Sequence, residues 1–471
     1  MTRSLRSLVN VVLVGYAVVL AGVTYWQLIA APALTTNPQF NGYRAAAEMS
    51  RNIRGRILDR NGQPLAVSER GKDGYERRYP YAGAAPIVGY WSLRYGSAGL
   101  EGKYDQQLRG KQNAGIDVVW QRLLHEPVVG ADVVTTIDLR LQKAADEALG
   151  NATGAAIAID PRNGEVLALA SHPYYDPNQV ETSYQKLRDD PRDPLYNRAL
   201  DGLYVPGSTF KVVTYTAGLA DGVVTPDTVY EDPDNGIVVD HYRIPDPNHP
   251  GMPKYDYRTA LAVSSNSAFA DLAMKLGRDR LQEQAKRFGF EAPIPFDLPT
   301  HASHLWQDPN FLWTRLGLAT TGMGQGQILA SPIQMALVAA GVANGGQIMR
   351  PHLVREVRAA DGAVMERAQP EPFQSATTAQ VARMVTDAMV LGVRQSWAKT
   401  AALPNVQVAG KTGTAETDAD AIPHAWFIAF APADKPRIAV AVIEEHAGGG
   451  STHAGPVVKR MLEVGLQVVA P

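Results

Sequence analysis

The sequence predicts an α+β fold, and three features carry that prediction. Apolar runs of strand length stand near both ends of the region from residue 135 onward. Helical patterns fill the space between them, and neither strand group can make a full sheet alone. The expectation is one antiparallel sheet assembled from distant chain segments and flanked by helices. A small β-containing module and a single apolar helix precede it.

The N-terminal segment comes first. From Leu8 to Ile29 the only strongly polar side chains are Asn10 and Gln27, and a helix needs roughly 20 apolar residues to cross a bilayer core. Tyr25 and Trp26 lie near its end, where interfacial aromatics belong. Arg3 and Arg6 precede the segment, and Arg44 is the first basic residue after it. That asymmetry places residues 1–7 in the cytoplasm, 8–30 in the membrane and the rest outside. A cleaved signal peptide, processed at Ala31-Pro32-Ala33, is the competing reading; the apolar stretch is long for it.

Composition excludes several classes. The 471 residues carry 45 Lys plus Arg against 47 Asp plus Glu, net −2, so no bulk affinity for nucleic acid is expected. The absence of cysteine rules out thiol catalysis, disulfides and thiolate metal sites. It fits an extracytoplasmic protein without requiring one. The histidines show no ligand spacing beyond His301-x-x-His304 in a polar loop, and no metal or other cofactor is expected.

Residues 31–134 form the expected non-catalytic module. Ile53 to Ala66 reads as two short strands about an Asn61-Gly62 turn. The arginines from Arg44 to Arg60 read as a solvated face with local ion pairs, and Gly71 to Gly102 yields no pattern. From residue 135 to 471 the organisation is regular. Leu141, Ala144, Ala145, Ala148 and Leu149 mark a helix face with Asp138 as cap. Ala155–Ile159 and Val166–Ala170 flank a tight turn as antiparallel strands. Helical patterns follow from Thr259 to Leu276, interrupted at Ser264-Ser265-Asn266, then from Leu281 to Phe288 and from Pro332 to Val342. Gly322-Met323-Gly324-Gln325-Gly326 reads as a tight turn rather than a phosphate loop. Val408–Ala415, Ala425–Ala431 and Arg437–Ile443 read as strands, and Pro456–Val468 as a closing helix.

The chemistry starts at Pro206-Gly207-Ser208-Thr209-Phe210-Lys211. The Pro-Gly break followed by an apolar run sets a helix from Ser208 to about Asp221. On it Ser208 and Lys211 share a face, with Cβ atoms roughly 5–6 Å apart. A serine needs a base, and a desolvated lysine can serve as one. The spacing alone is weak, because Ser183…Lys186 and Ser396…Lys399 repeat it. Ser264-Ser265-Asn266 and Lys411-Thr412-Gly413 follow in order, and the ordered triplet is specific.

With these motifs the chain resembles the penicillin-binding protein family, in particular the membrane-anchored class B D,D-transpeptidases of the penicillin-binding protein A type. Arg54-Gly55-Arg56-Ile57-Leu58-Asp59-Arg60-Asn61-Gly62 and Gly99-Leu100-Glu101-Gly102-Lys103-Tyr104-Asp105 resemble signatures of the class B non-catalytic module. The resemblance implies the penicillin-binding serine-transferase fold for residues 135–471. It implies Ser208 as nucleophile, Lys211 as its base, Ser264 as proton relay and Asn266 as an anchor for substrate backbone or Lys211. Lys411 would supply positive field, Thr412, Gly413 and Thr414 would bind the substrate carboxylate end, and N–H groups of Ser208 and Thr414 would form the oxyanion hole. Peptidoglycan stem peptides, β-lactams, the cytoplasmic membrane and a SEDS-family glycosyltransferase are the implied partners.

Two rivals remain open at this level. A class D-like serine β-lactamase or β-lactam sensor shares S-T-F-K but resembles S-x-V at the second motif and lacks the N-terminal module. A catalytically idle cell-wall scaffold would not need every motif residue.

Overall fold

The computed structural model describes residues 3–30, 52–71, 74–110, 127–232, 234–247, 250–416 and 421–469. Ala31-Pro32-Ala33, Arg44 and Arg51 lie outside the described residues. The central sheet has five strands: β1 (Gly154–Ile159), β2 (Val166–His172), β3 (Ala409–Ala415), β4 (His424–Ala431) and β5 (Ile438–Glu444). Their order is β3-β4-β5-β1-β2, and every neighbouring pair is antiparallel. The two strand groups read from the sequence meet at β5–β1, where Ala441 lies opposite Ile157.

Both faces of this sheet are covered, which explains why its strands read as unbroken apolar runs rather than alternating ones. Ile157, Ile159 and Ile443 join one core; Ala156, Ala158, Val440 and Val442 point to the other, as the two-residue strand period requires. Helices α1 (Leu139–Leu149) and α8 (Ala454–Val468) cover the second face, and α6 (Pro332–Ala343) covers the first. Asp138 caps α1 by accepting from the Arg140 N–H, and Leu141, Ala145 and Leu149 bury its apolar stripe.

The remaining major helices are α2 (Lys211–Ala220), α3 (Tyr257–Val263), α4 (Asn266–Arg287), α5 (Arg315–Gly322) and α7 (Ala379–Gln395). The patterns read as Thr259–Leu276 and Leu281–Phe288 are thus α3 and one long α4, whose break lies at Gly277 with φ 74°. Helix α7 is an addition to the sequence reading. Thr378 caps it, and Val385, Ala388 and Met389 are buried.

The N-terminal module is built on a second sheet, and that sheet crosses the boundary expected near residue 135. Its strands run in the order Val364–Arg367, Val354–Arg358, Asp132–Thr135, Ile57–Leu58, Pro64–Arg70 and Tyr75–Arg78. Two of six come from the middle of the catalytic region. At the Asn61-Gly62 turn, Gly62 has φ 83°, and the Asp59 carboxylate accepts from the Asn61 and Gln63 N–H groups at 2.8 Å each. The arginines expected as a solvated face with local ion pairs do pair, Arg56 with Asp132 and Arg60 with Glu165. Of the three described, only Arg56 is exposed; Arg54 and Arg60 are part-buried, because their partners Glu101 and Glu165 are themselves buried. Arg54 and Arg77 both grip Glu101, each at 2.6 Å. Glu101 is fully buried, so this contact ties the two signature stretches of the module together.

At the N-terminus a helix spans Arg3–Thr24 and continues as a π-helical turn, Tyr25–Ala30. Leu5–Thr24 is long and apolar enough to cross a membrane, with a mean hydropathy of 2.1 and none of it buried.

Burial raises the Glu101 pKa, but Arg77 and Arg54 outweigh it and hold the carboxyl below its usual value of 4.5. A depressed folded-state pKa contributes stability that is present above the unfolded value and lost as pH falls through the folded one. Glu101→Gln leaves two buried guanidiniums facing a neutral amide, and breaking such a cluster costs about 3–5 kcal/mol. Chemical denaturation at neutral pH is expected to show that loss, and the deficit should shrink in acid. A variant as stable as wild type would show that the cluster contributes nothing.

Candidate active site

The Ser208 element is a 3₁₀ turn, Gly207–Phe210, that passes straight into α2. The turn lies against the edge strand β3, and the contact is close enough to demand glycine. Gly207 has φ 55°, and a Cβ there would stand 2.7 Å from the Thr414 carbonyl oxygen. Behind it, a Cβ on Gly324 (φ 87°) would stand 1.8 Å from the Gly207 carbonyl oxygen. The expected tight turn thus follows the end of α5 at Gly322, and its Gly324 backs the Ser208 turn. Ser208 is half-buried.

Three residues on, Lys211 is completely buried. Its Nζ donates to Asn266 Oδ1 at 2.6 Å and to the Ser264 carbonyl at 2.8 Å, and stands 3.4 Å from Ser264 Oγ. Ser264 ends α3 in the left-handed conformation, φ 69° and ψ 38°, a region that non-glycine residues enter mainly where surroundings force it. Ser265 then caps α4, accepting from the Ala268 N–H. The break read at Ser264-Ser265-Asn266 is thus a helix–turn–helix joint that aims three polar groups at Lys211.

The third segment arrives from β3. Lys411, buried, donates from Nζ to Ser264 Oγ at 2.7 Å and to the Thr412 carbonyl at 2.8 Å. Thr412 and Thr414 fall on one face of the strand by its two-residue period, and Thr414 is exposed. Gln325 Nε2 reaches the Thr414 carbonyl at 3.3 Å, a contact sequence reading did not anticipate because nothing in local pattern links residues 325 and 414.

Ser264 Oγ is therefore the oxygen shared by two buried lysines. Burial pushes Lys211 down to about 7, against the opposing pull of Asp246. Burial, then the charge of Lys211, push Lys411 well below the usual lysine range. Two like charges this close cannot both be held cheaply in a desolvated site. Among the described residues Ser208 Oγ makes no side-chain hydrogen bond, to Lys211 or any other group. The rival pairs differ plainly: Lys186 and Lys399 are exposed. A cleft of about 810 Å³ between the module and the segments 194–201 and 293–300 contains none of the motif residues.

The family model for the penicillin binding protein transpeptidase domain matches residues 154–463. The chain belongs to that family. The model for the penicillin binding protein A dimerisation domain matches residues 54–133. This penicillin-binding protein is 36% identical to the peptidoglycan D,D-transpeptidase PbpA of Mycolicibacterium smegmatis, over 99% of each chain. It is 34% identical to PbpA of Mycobacterium tuberculosis, again over 99% of each. A solved structure of penicillin-binding protein A from M. tuberculosis, a ceftriaxone acyl-enzyme complex, superposes with a TM-score of 0.83 at 34% identity. That match covers 90% of this chain and 100% of the other. A penicillin G acyl-enzyme of the same protein gives 0.80 at 35% identity, covering 88% and 100%.

Gly207→Ala tests the close approach of the Ser208 turn to β3. An L side chain in this conformation costs about 1–2 kcal/mol, and the clash falls on a backbone oxygen that cannot swing away. The variant is expected to fold but to react with a fluorescent penicillin at least several-fold more slowly. An unchanged rate would mean that the turn and β3 are not held in register by this contact.

Proposed function

We propose that this chain is a membrane-anchored peptidoglycan D,D-transpeptidase that cross-links stem peptides through an acyl-Ser208 intermediate and is acylated there by β-lactams. The observation that carries the reading is Ser264 Oγ set between Lys411 Nζ and Lys211 Nζ, at 2.7 and 3.4 Å, with Ser208 one helical turn from Lys211. The full-length relatives bear that activity in their names, and solved neighbours are β-lactam acyl-enzymes.

Lys211 is the proposed base. A neutral amine has two hydrogens and one lone pair. Asn266 Oδ1 and the Ser264 carbonyl, at 2.6 and 2.8 Å, take both hydrogens, which leaves the lone pair for a hydroxyl proton. Ser208 Oγ gives its proton to Lys211 and bonds to the carbonyl carbon of the penultimate D-alanine. The proton then passes through Ser264 to the leaving nitrogen as the C–N bond breaks and D-alanine departs. An acceptor amine then enters, loses its proton to the same relay and attacks the ester, restoring Ser208. The unpaired Ser208 hydroxyl is no objection, since such contacts commonly tighten only when substrate binds.

Lys411 keeps the second proton in this scheme. With Ser264 Oγ and the Thr412 carbonyl each taking one N–H, a third remains for the substrate carboxylate, whose charge favours the ammonium form. Thr412 and Thr414 supply hydroxyls to the same carboxylate, along the Gly413 backbone. The close packing of Gly207 on Thr414 supports the N–H groups of Ser208 and Thr414 as the oxyanion hole, where one donor is worth about 3–4 kcal/mol of barrier.

The same reading assigns residues 1–7 to the cytoplasm, 8–30 to the anchor, 31–134 to the non-catalytic module and 135–471 to the transpeptidase domain outside the membrane. The arginines ahead of the apolar helix support that orientation. A SEDS-family glycosyltransferase is the proposed partner of anchor and module, supplying the glycan strands whose peptides this enzyme joins.

Peptide mapping by mass spectrometry after reaction with penicillin tests the assignment. The adduct is expected on Ser208, to be lost in Ser208→Ala, and to fall by orders of magnitude in a folded Lys211→Arg protein, because arginine keeps the charge but cannot release a proton. The wild-type adduct should persist for hours. Full labelling of Ser208→Ala would sink the nucleophile assignment. Recovery within seconds, with penicilloic acid accumulating, would favour a β-lactamase.

A further inference from the structure

The middle residue of Ser264-Ser265-Asn266 is fully buried and leads to a pair of buried carboxylates. Ser265 Oγ donates to Asp246 Oδ2 at 2.6 Å and lies 2.9 Å from the Tyr255 hydroxyl. Ser267 Oγ stands 2.7 Å from Asp232 Oδ2 and 3.1 Å from Asp246 Oδ2. Asp232 and Asp246 are 2% and 1% exposed. They flank the hairpin Gly236–Val239 and Tyr242–Pro245, whose Pro245 carbonyl accepts from Asn266 Nδ2 at 3.1 Å. Asp246 Oδ1 has no hydrogen-bond partner among the described residues.

An under-coordinated buried carboxylate is costly unless a positive charge lies within its field. Lys211 lies within that field. Among the described residues neither Lys211 nor Lys411 makes an ion pair with a carboxylate, so their charge is balanced at one remove, across the Ser264-Ser265 turn. Resting on the function proposed above, we propose that Asp246 is a positioning and charge-balancing residue of the acylation centre. Through Ser265 and Ser267 it fixes the turn that presents Ser264 and Asn266 to Lys211. Through its negative charge it sets the pH range in which Lys211 can accept a proton.

The groups facing Lys211 are few. Lys411 approaches from β3 and Asp246 from the hairpin exit, with Asp232 and Tyr255 one hydroxyl further off; α4 contributes only the Asn266 amide and the Phe269 ring, 5.9 Å from Nζ. Lys411 opposes a proton on Lys211, whereas Asp246 favours it, in keeping with the direction of its pull on that lysine. Removing the negative charge while keeping the shape should therefore make Lys211 easier to deprotonate.

The test is the pH dependence of acylation by a fluorescent penicillin, measured on the full-length protein in detergent for wild type, Asp246→Asn and Asp246→Glu. Wild type is expected to show an acid limb, slow while Lys211 is protonated. In Asp246→Asn the limb should move to lower pH by about one unit, a tenfold change in proton concentration, whatever happens to the plateau. In Asp246→Glu, which keeps the charge, the limb should stay in place. A lower plateau with an unmoved limb in Asp246→Asn would overturn the inference, leaving Asp246 a packing residue. If that variant does not fold, Asp246→Ser, smaller and also uncharged, carries the same readout with the same two outcomes. A wild type acylated without any acid limb would instead remove Lys211 as the base, and this inference with it.

Discussion

One serine oxygen held between two buried lysine amines is the constraint on which the rest of this protein depends. In water two ammonium groups around one hydroxyl would repel weakly and be hydrated. Buried, they cannot both stay charged, and the site must choose which proton to give up. In the proposed mechanism that choice makes Lys211 a base near neutral pH, and the substrate carboxylate restores the charge on Lys411. Burial is the leading cause of both downward shifts; Asp246 opposes it at Lys211, and the charge of Lys211 adds to it at Lys411.

The fold supplies that geometry from three distant parts of the chain. Lys211 opens a helix whose preceding turn lies on β3, Ser264 sits at the joint between α3 and α4, and Lys411 comes from β3 itself. β3 is an edge strand of the central sheet, so one side is free to receive the Ser208 turn and, in the proposed reaction, an extended peptide. Glycines 207 and 324 permit the approach. The left-handed Ser264 is a local strain held in place by caps and by the Asp246 hydrogen bonds to Ser265 and Ser267, at the position where a displaced hydroxyl would break the proposed relay.

The site was largely legible in the sequence, because each motif combines a local signal with a chemical one. Pro206-Gly207 marks a helix start, Ser264-Ser265-Asn266 interrupts a helical period, and Lys411-Thr412-Gly413 lies in a strand run. The order of the three excluded the stray Ser–Lys pairs, which stand on exposed surfaces. The central sheet was legible for a similar reason: its strands are buried on both faces and read as solid apolar blocks. What escaped was long-range. Val354–Arg358 joins the module's sheet beside Asp132–Thr135 across nearly half the chain, and Val364–Arg367 next to it is exposed throughout, so it has no apolar alternation to read. Asp232 and Asp246 lie in a Gly- and Pro-rich stretch where acidic residues are ordinary, and only the packing of the hairpin against α4 shows that they are buried. Helix α7 carries an apolar stripe, Val385, Ala388 and Met389, with no chemical motif beside it.

The most direct test of the central claim is titration of the lysine side chains themselves, by NMR of the wild-type protein labelled at the lysine Cε and Nζ positions. The account requires one amine of the pair to lose its proton near about 7, with a signal that is absent from a Lys211→Arg protein. If every lysine titrates in the ordinary range near 10.5, both amines are charged at neutral pH, and the Ser264 oxygen is not shared between a base and a cation.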